Sequence, residues 1–273
     1  MPLSFTTRHS LVAYLTCGDP DLRTTREIVL AAISAGAEVI ELGVPFSDPV
    51  ADGPVIQRAS ERALRNGVSL EQVLDLATDI RRESDAGLIV FSYLNPILRM
   101  GFEKFAARSA EAGIDGALVT DLPAEEADEY LRHMRKRNLA TVFLAAPTST
   151  DERLKRIATA STGFVYAVSR TGVTGARKEL ADDAQELVKR IRKFTKLPIA
   201  VGFGISDPEQ FASVGKFAHA AAVGSAIVRT IETNRGKEAG AVAEYITQLT
   251  ALSRQQSVKT DKGGNVPRVA GAD

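Results

Sequence analysis

The chain has 273 residues with 34 basic and 34 acidic side chains, so it carries no formal net charge and lacks the electrostatic footprint of a nucleic-acid or anionic-membrane binder. Cys17 is its single cysteine, which excludes an intrachain disulfide and fits a reducing compartment, the cytoplasm. No apolar run approaches the ~20 residues of a membrane helix, while 44% hydrophobic residues suffice for a packed core in one large α/β barrel or two ordinary domains.

In chain order, short β-rich runs alternate with amphipathic stretches. Strands are predicted at 11–17, 39–44, 88–93, 117–120, 141–145, 164–169, 199–203 and 220–223. Arg8 ahead of the first run resembles the start of a signal peptide. No small-residue cleavage site follows, however, and Gly18-Asp19-Pro20 reads as a turn. Between strands the apolar spacing is helical. Ile28, Ala31, Ala32 and Ala35 share one face, and Leu70, Val73, Leu74, Ala77 and Ile80 share another. Each strand is short, shows little alternation and precedes a helical stretch, as expected of parallel strands covered on both sides. Eight such units predict a closed (β/α)8 TIM barrel over residues 1–254 rather than an open doubly wound sheet. Residues 255–273 turn polar and Gly-rich and read as a mobile tail.

A barrel of this kind carries its chemistry at the C-terminal ends of its strands. Glu41 lies inside the second strand among Val39, Ile40, Leu42 and Val44, and Asp52 lies in the Pro- and Gly-broken loop that follows. A carboxyl in an apolar strand is costly to ionise, which raises its pKa and suits it to general acid–base work. A second carboxyl in a different environment completes a recurring catalytic pair. The same spacing also allows a structural alternative, with Glu41 paired to a buried cation and Asp52 capping a helix.

Three Gly-rich turns follow the last strands: S169-R-T-G-V-T-G175, G202-F-G-I-S206 and G224-S-A-I-V228. Glycine lets backbone N–H groups approach an anion, and a helix N-terminus favours negative charge, so these turns predict a phosphate site. They also serve as ordinary tight βα turns. Gly202 and Gly204 do not make a dinucleotide fingerprint, because Asp207 stands where the third glycine would be.

The three histidines form no metal-ligand spacing. His133 falls among charges on a solvated helix face, and His219 falls at the start of a strand, the end opposite to catalysis. No predicted strand holds a lysine for a Schiff base, and Cys17 has no base near it. What remains is carboxylate acid–base chemistry on a phosphate-anchored substrate.

The run E41-L-G-V-P-F-S-D-P-V-A-D-G-P54 resembles the signature of the tryptophan synthase alpha chain family. The resemblance continues through T16-C-G-D-P20, Y93-L-N-P96, D121-L-P123, Y166-A-V-S-R-T-G-V-T-G175, G202-F-G-I-S206 and G224-S-A-I-V228, in the family's order. It implies cleavage of indole-3-glycerol phosphate to indole and glyceraldehyde 3-phosphate without a cofactor or metal. It also implies a beta chain as partner, in an alpha2-beta2 tetramer, that receives the indole. By the same resemblance Glu41 is the acid–base and Asp52 the acid facing the indole N–H. Tyr14, Leu118, Leu144, Tyr166 and Phe203 wall the substrate, and Thr174 lies on a closing loop. Gly175, Gly204, Gly224 and Ser225 cradle the phosphate. Asp19 is expected either to cap a helix or to contact the partner. Two other readings of the barrel are a binding subunit without chemistry and a sugar-phosphate isomerase.

Overall fold

A computed structural model describes residues 5, 9–168, 177–202 and 204–263, with the backbone alone for 177–181 and 254–263. The elements in chain order are β1 (Ser10–Thr16), α1 (Leu22–Ser34), β2 (Val39–Gly43), α2 (Pro54–Arg65), α3 (Leu70–Arg81), β3 (Gly87–Ser92), α4 (Leu94–Met100) and α5 (Phe102–Glu111). Then come β4 (Gly116–Val119), α6 (Asp128–Lys136), β5 (Ala140–Ala145), α7 (Asp151–Ala160), β6 (Val165–Val168) and α8 (Arg177–Ile191). The chain continues with β7 (Ile199–Gly202), α9 (Pro208–Val214), β8 (Ala220–Val223), α10 (Ser225–Thr233) and α11 (Glu238–Gly263). The strands pair in sequence order, all parallel, and β1 closes on β8. This is a (β/α)8 barrel.

The period-two alternation of each strand divides the core in two. Outward-facing Leu11, Leu15, Ile40, Leu42, Leu88 and Val90 pack under the helices. Inward-facing Val12, Val39, Ile89, Leu118, Val142, Phe164, Ala200 and Ala220 fill the barrel. Phe164, just ahead of β6, packs in this inner cluster with the small Ala200, Ala220 and Ala222 of β7 and β8.

The helices are not one per strand, as the sequence pattern suggests. After β2 the chain makes both α2 and α3, because Gly67 turns the backbone into the left-handed region (φ 71°) and Ser69 opens a new helix with a capping box to Gln72. Gly101 (φ 88°) separates α4 from α5 in the same way. The predicted face of α3 is buried, and on α1 Val29, rather than Ala31, shares the buried face with Ile28 and Ala32. The last helix, α11, lies along α1, α9 and α10 and buries Val242, Ile246 and Leu249. Its backbone runs on to Gly263, well past Arg254, and residues 264–273 lie outside the described residues.

Candidate active site

Strand alternation turns Glu41 into the barrel with Val39, while Ile40 and Leu42 face the helices. Its register neighbours are Tyr14 on β1 and Ile89 on β3. Glu41 is 1% exposed, and neither carboxyl oxygen has a hydrogen-bond partner among the described residues. It is the one Asp, Glu, Lys or Arg in the eight strands as described. No cation stands beside it among the described residues, and burial pushes its pKa from 4.5 up to about 8. The alternative of a buried ion pair finds no partner among those residues.

Asp52 does not cap α2 either. The cap is Gly53, without a side-chain bond, and Pro54 starts the helix. The Asp52 backbone is pinned by its own N–H to Pro49 and by Gln57 Nε2 donating to its carbonyl at 2.9 Å. This leaves the carboxylate free to face Tyr93, whose hydroxyl donates to Oδ2 at 3.1 Å. Burial raises the Asp52 pKa to about 6, and the Tyr93 hydrogen bond works against the rise. The Tyr93 hydroxyl also accepts from Ala51 N–H at 3.0 Å, and its ring stacks on Phe46 with centroids 4.9 Å apart. Asp121 after β4 accepts from Leu94 N–H at 2.6 Å, which holds the turn that follows Tyr93.

Tyr14 feels both acids. Its ring meets Phe91 edge-on at 4.9 Å, and its hydroxyl lies 3.3 Å from that of Thr16. Burial raises its pKa, and the charges of Asp52 and Glu41 add to the rise. Tyr166, in register with Leu144, behaves alike, with burial first and then Glu41 and Tyr14 disfavouring its ionised form. Two glycines make space for these rings. A Cβ at Gly43 would lie 2.5 Å from the Tyr14 hydroxyl, and one at Gly202 would lie 2.7 Å from that of Tyr166. Leu144 is half-buried at the mouth, whereas Leu118 is fully buried beneath it.

Gly224 abuts the same tyrosine, since a Cβ there would meet the Tyr14 side chain at 3.4 Å. It is the N-cap of α10, where no side chain bonds the first turn, and Ser225 is the first helical residue. The opening N–H groups of α10 thus have no side-chain cap among the described residues, an arrangement suited to an anion. Gly204 is exposed with φ 79° and open space where a Cβ would be. Thr174, Gly175 and Phe203 lie outside the described residues.

Of the residues singled out from the sequence, Tyr14 lies within electrostatic reach of Glu41 and Asp52, Tyr166 of Glu41 and Tyr14, Leu144 pairs in register with Tyr166, and Gly224 abuts Tyr14 with Ser225 next in the chain. Sequence reasoning missed Tyr93 as the partner of Asp52, although Tyr93 directly follows a strand end. Of the two alternatives for Asp19 the helix cap fails, since Asp21 caps α1 and Asp19 is buried against Arg62 and Arg235, while a contact with the partner is left open. His133, on α6, is not on a fully solvated face, because its side chain is only 18% exposed. His219 sits at the far end as expected, its Nδ1 accepting from Ile199 N–H. Among the described residues no group of His, Cys, Asp and Glu could hold a metal ion, and no helix is long and apolar enough to cross a membrane.

The model of the family described as "Tryptophan synthase alpha chain" matches residues 3–257. The chain belongs to the tryptophan synthase alpha chain family. The alpha chain of Solibacter usitatus is 55% identical over 227 residues, covering 83% of this chain and 85% of that one. The alpha chain of Neisseria meningitidis serogroup B is 46% identical over 241 residues, covering 88% and 92%. Among solved structures, a tryptophan synthase complex from Pyrococcus furiosus superposes with a TM-score of 0.83 at 39% identity, covering 90% of this chain and 99% of its own. An open form of tryptophan synthase from M. tuberculosis superposes with a TM-score of 0.81 at 35% identity, covering 89% and 91%. As a member of the alpha chain family this protein is a carbon–carbon lyase, and the reaction is cleavage of indole-3-glycerol phosphate.

Proposed function

We propose that Glu41 and Asp52 divide the chemistry of this cleavage between them. Glu41, neutral near pH 7, donates its proton to the indole ring carbon that bears the glycerol chain. The ring becomes a cation with its positive charge at nitrogen, and the Asp52 carboxylate accepts the indole N–H and stabilises that charge. The bond from ring to side chain then breaks, and its electron pair restores the aromatic ring. The adjacent hydroxyl becomes the aldehyde of glyceraldehyde 3-phosphate and gives its proton to the Glu41 carboxylate, which resets the acid. Tyr14, Leu144, Tyr166 and Phe203 wall the indole, with Leu118 as the floor. Gly204, Gly224, Ser225 and Gly175 hold the phosphate through backbone N–H groups. Thr174 orients Asp52.

The observation that carries this reading is the buried Glu41 carboxyl, unpartnered among the described residues and with a pKa of about 8, which shares the neighbour Tyr14 with an acid near 6. Between those values one group holds a proton while the other is charged, as the reaction requires. The test is release of indole from indole-3-glycerol phosphate by wild type and Glu41→Gln. A fall of about 10²–10⁴-fold in the variant supports the assignment, and comparable rates would refute it.

The partner that fits is a beta chain, in an alpha2-beta2 tetramer that passes indole between subunits. Its seat would be the face around the β2–α2 loop and α4. Val50, 87% exposed, lines a cavity of about 610 Å³ with Phe46, Arg58 and Leu64, and Leu98 on α4 is 51% exposed. The compartment that suits a lone unpaired cysteine is the cytoplasm.

A further inference from the structure

The mouth of the barrel is braced from outside by charges that the chemistry above leaves unused. Asp19, in the loop after β1, is 2% exposed. Arg62 on α2 forks onto it, with Nε and Nη2 donating to the two carboxylate oxygens at 2.9 and 2.7 Å. The remaining nitrogen of the same guanidinium donates to Glu232 on α10 at 2.9 Å. Arg58, one turn earlier on α2, forks onto Glu232 at 2.9 and 2.7 Å, and Arg235 reaches Asp19 at 3.1 Å. Asn66 at the end of α2 donates to the carbonyls of Gly18 and Pro20. Three segments thus meet in one ladder: the β1–α1 loop, α2 and α10.

What these segments carry gives the ladder its meaning. Helix α2 begins directly after Asp52 and Gly53, and α10 begins at Ser225 with its uncapped first turn. Each helix is a stiff rod, so a slide of one along the other changes the gap between the second acid and the anion seat by the same amount. Bidentate guanidinium pairs fix direction as well as distance, which a single lysine contact does not. Partly exposed ion pairs contribute little to stability by themselves, so the consequence of this ladder lies in geometry.

We propose that Arg62 is a positioning residue: by joining Asp19 to Glu232 it sets the distance between Asp52 and the N-terminus of α10, and so matches the site to a substrate that spans both. This rests on the reading of Asp52 and α10 given above.

The test compares wild type, Arg62→Met, Glu232→Gln and the double variant on two substrates, indole-3-glycerol phosphate and the same indole glycerol without phosphate. A wild type that does not prefer the phosphorylated substrate would defeat the phosphate seat itself, whatever Arg62 does. Given that preference, Arg62→Met is expected to lower kcat/KM for the phosphorylated substrate by about tenfold or more, and to leave the rate on the unphosphorylated one within about twofold. The double variant should lose no more than Arg62→Met alone, because both changes cut one ladder. Equal losses on the two substrates, an unchanged rate on the phosphorylated one, or additive losses would overturn the proposal. If Arg62→Met fails to fold because Asp19 is left buried with one cation fewer, Glu232→Gln carries the same two-substrate comparison from the more exposed side of the ladder.

Discussion

Replacing Glu41 by Gln should remove turnover and yet stabilise the fold, increasingly so as the pH rises. In an unfolded chain this carboxyl ionises near 4.5, whereas in the native barrel burial holds the proton until about 8. Between those values the unfolded state has released a proton that the native state keeps. The unfolded state then binds fewer protons, so stability falls as pH rises, by about 1.4 kcal/mol per pH unit. The stabilisation is fully present below 4.5, is lost progressively toward 8, and changes no further above it. Over that interval the loss is roughly 5 kcal/mol, a large share of the ~5–15 kcal/mol that separates folded from unfolded domains.

Glutamine keeps the shape and a polar head but has no proton to lose. Asp52 also has a raised pKa, near 6, but it is present in both proteins and cancels from the comparison. Urea unfolding followed by circular dichroism at about pH 5, 7 and 9 gives the difference directly. The advantage of the variant over wild type should widen by several kcal/mol from the lowest to the highest pH. Parallel stability curves would mean that Glu41 is already ionised in the native state at neutral pH. The neutral proton donor, and with it the assigned mechanism, would then be wrong.

Four further outcomes follow from the same geometry. The pH profile of kcat/KM should be bell-shaped, rising near 6 as Asp52 ionises and falling near 8 as Glu41 loses its proton, measured by initial rates of indole release. Tyr93→Phe removes the one donor to the Asp52 carboxylate among the described residues and should move the acidic limb of that profile up by on the order of one pH unit, leaving the alkaline limb in place. Gly202→Ala drives a methyl group to within 2.7 Å of the Tyr166 hydroxyl and should cost about 1–3 kcal/mol in a denaturant melt, with reduced activity. Gly224→Ala meets Tyr14 at an ordinary 3.4 Å, so its melt should match wild type. Its KM for the phosphorylated substrate should nevertheless rise by about tenfold, the effect of roughly one weakened charge-assisted contact.

The barrel was legible in the sequence because each strand is a short apolar run bounded by Gly, Pro or Asp, and all eight were placed to within a residue or so. Glu41 was legible for the opposite reason, since one acid interrupts such a run. The helix pairs after β2 and β3 were not, because Gly67 and Gly101 separate helices only through left-handed backbone, and a glycine looks the same in a loop of any shape. Tyr93 and Arg62 were hidden by distance. Their partners lie 41 and 43 positions away along the chain, and nothing in the local pattern of either residue distinguishes a packing tyrosine or a surface arginine from a positioned one.

The contrast between the two acids reduces to where the barrel admits charge. Inside, the alternation that turns Glu41 inward also surrounds it with Tyr14, Val39 and Ile89, and no strand offers a lysine or arginine to pull its pKa back down. A cation at any of those inward positions would relieve the burial penalty and, in doing so, remove the proton that the reaction needs. Asp52 escapes the same fate because it sits one loop further out, where a tyrosine hydroxyl can reach it and solvent is near. The instability stored at Glu41 is therefore inseparable from its competence as an acid, and burial of the surrounding apolar core is what allows the fold to tolerate it.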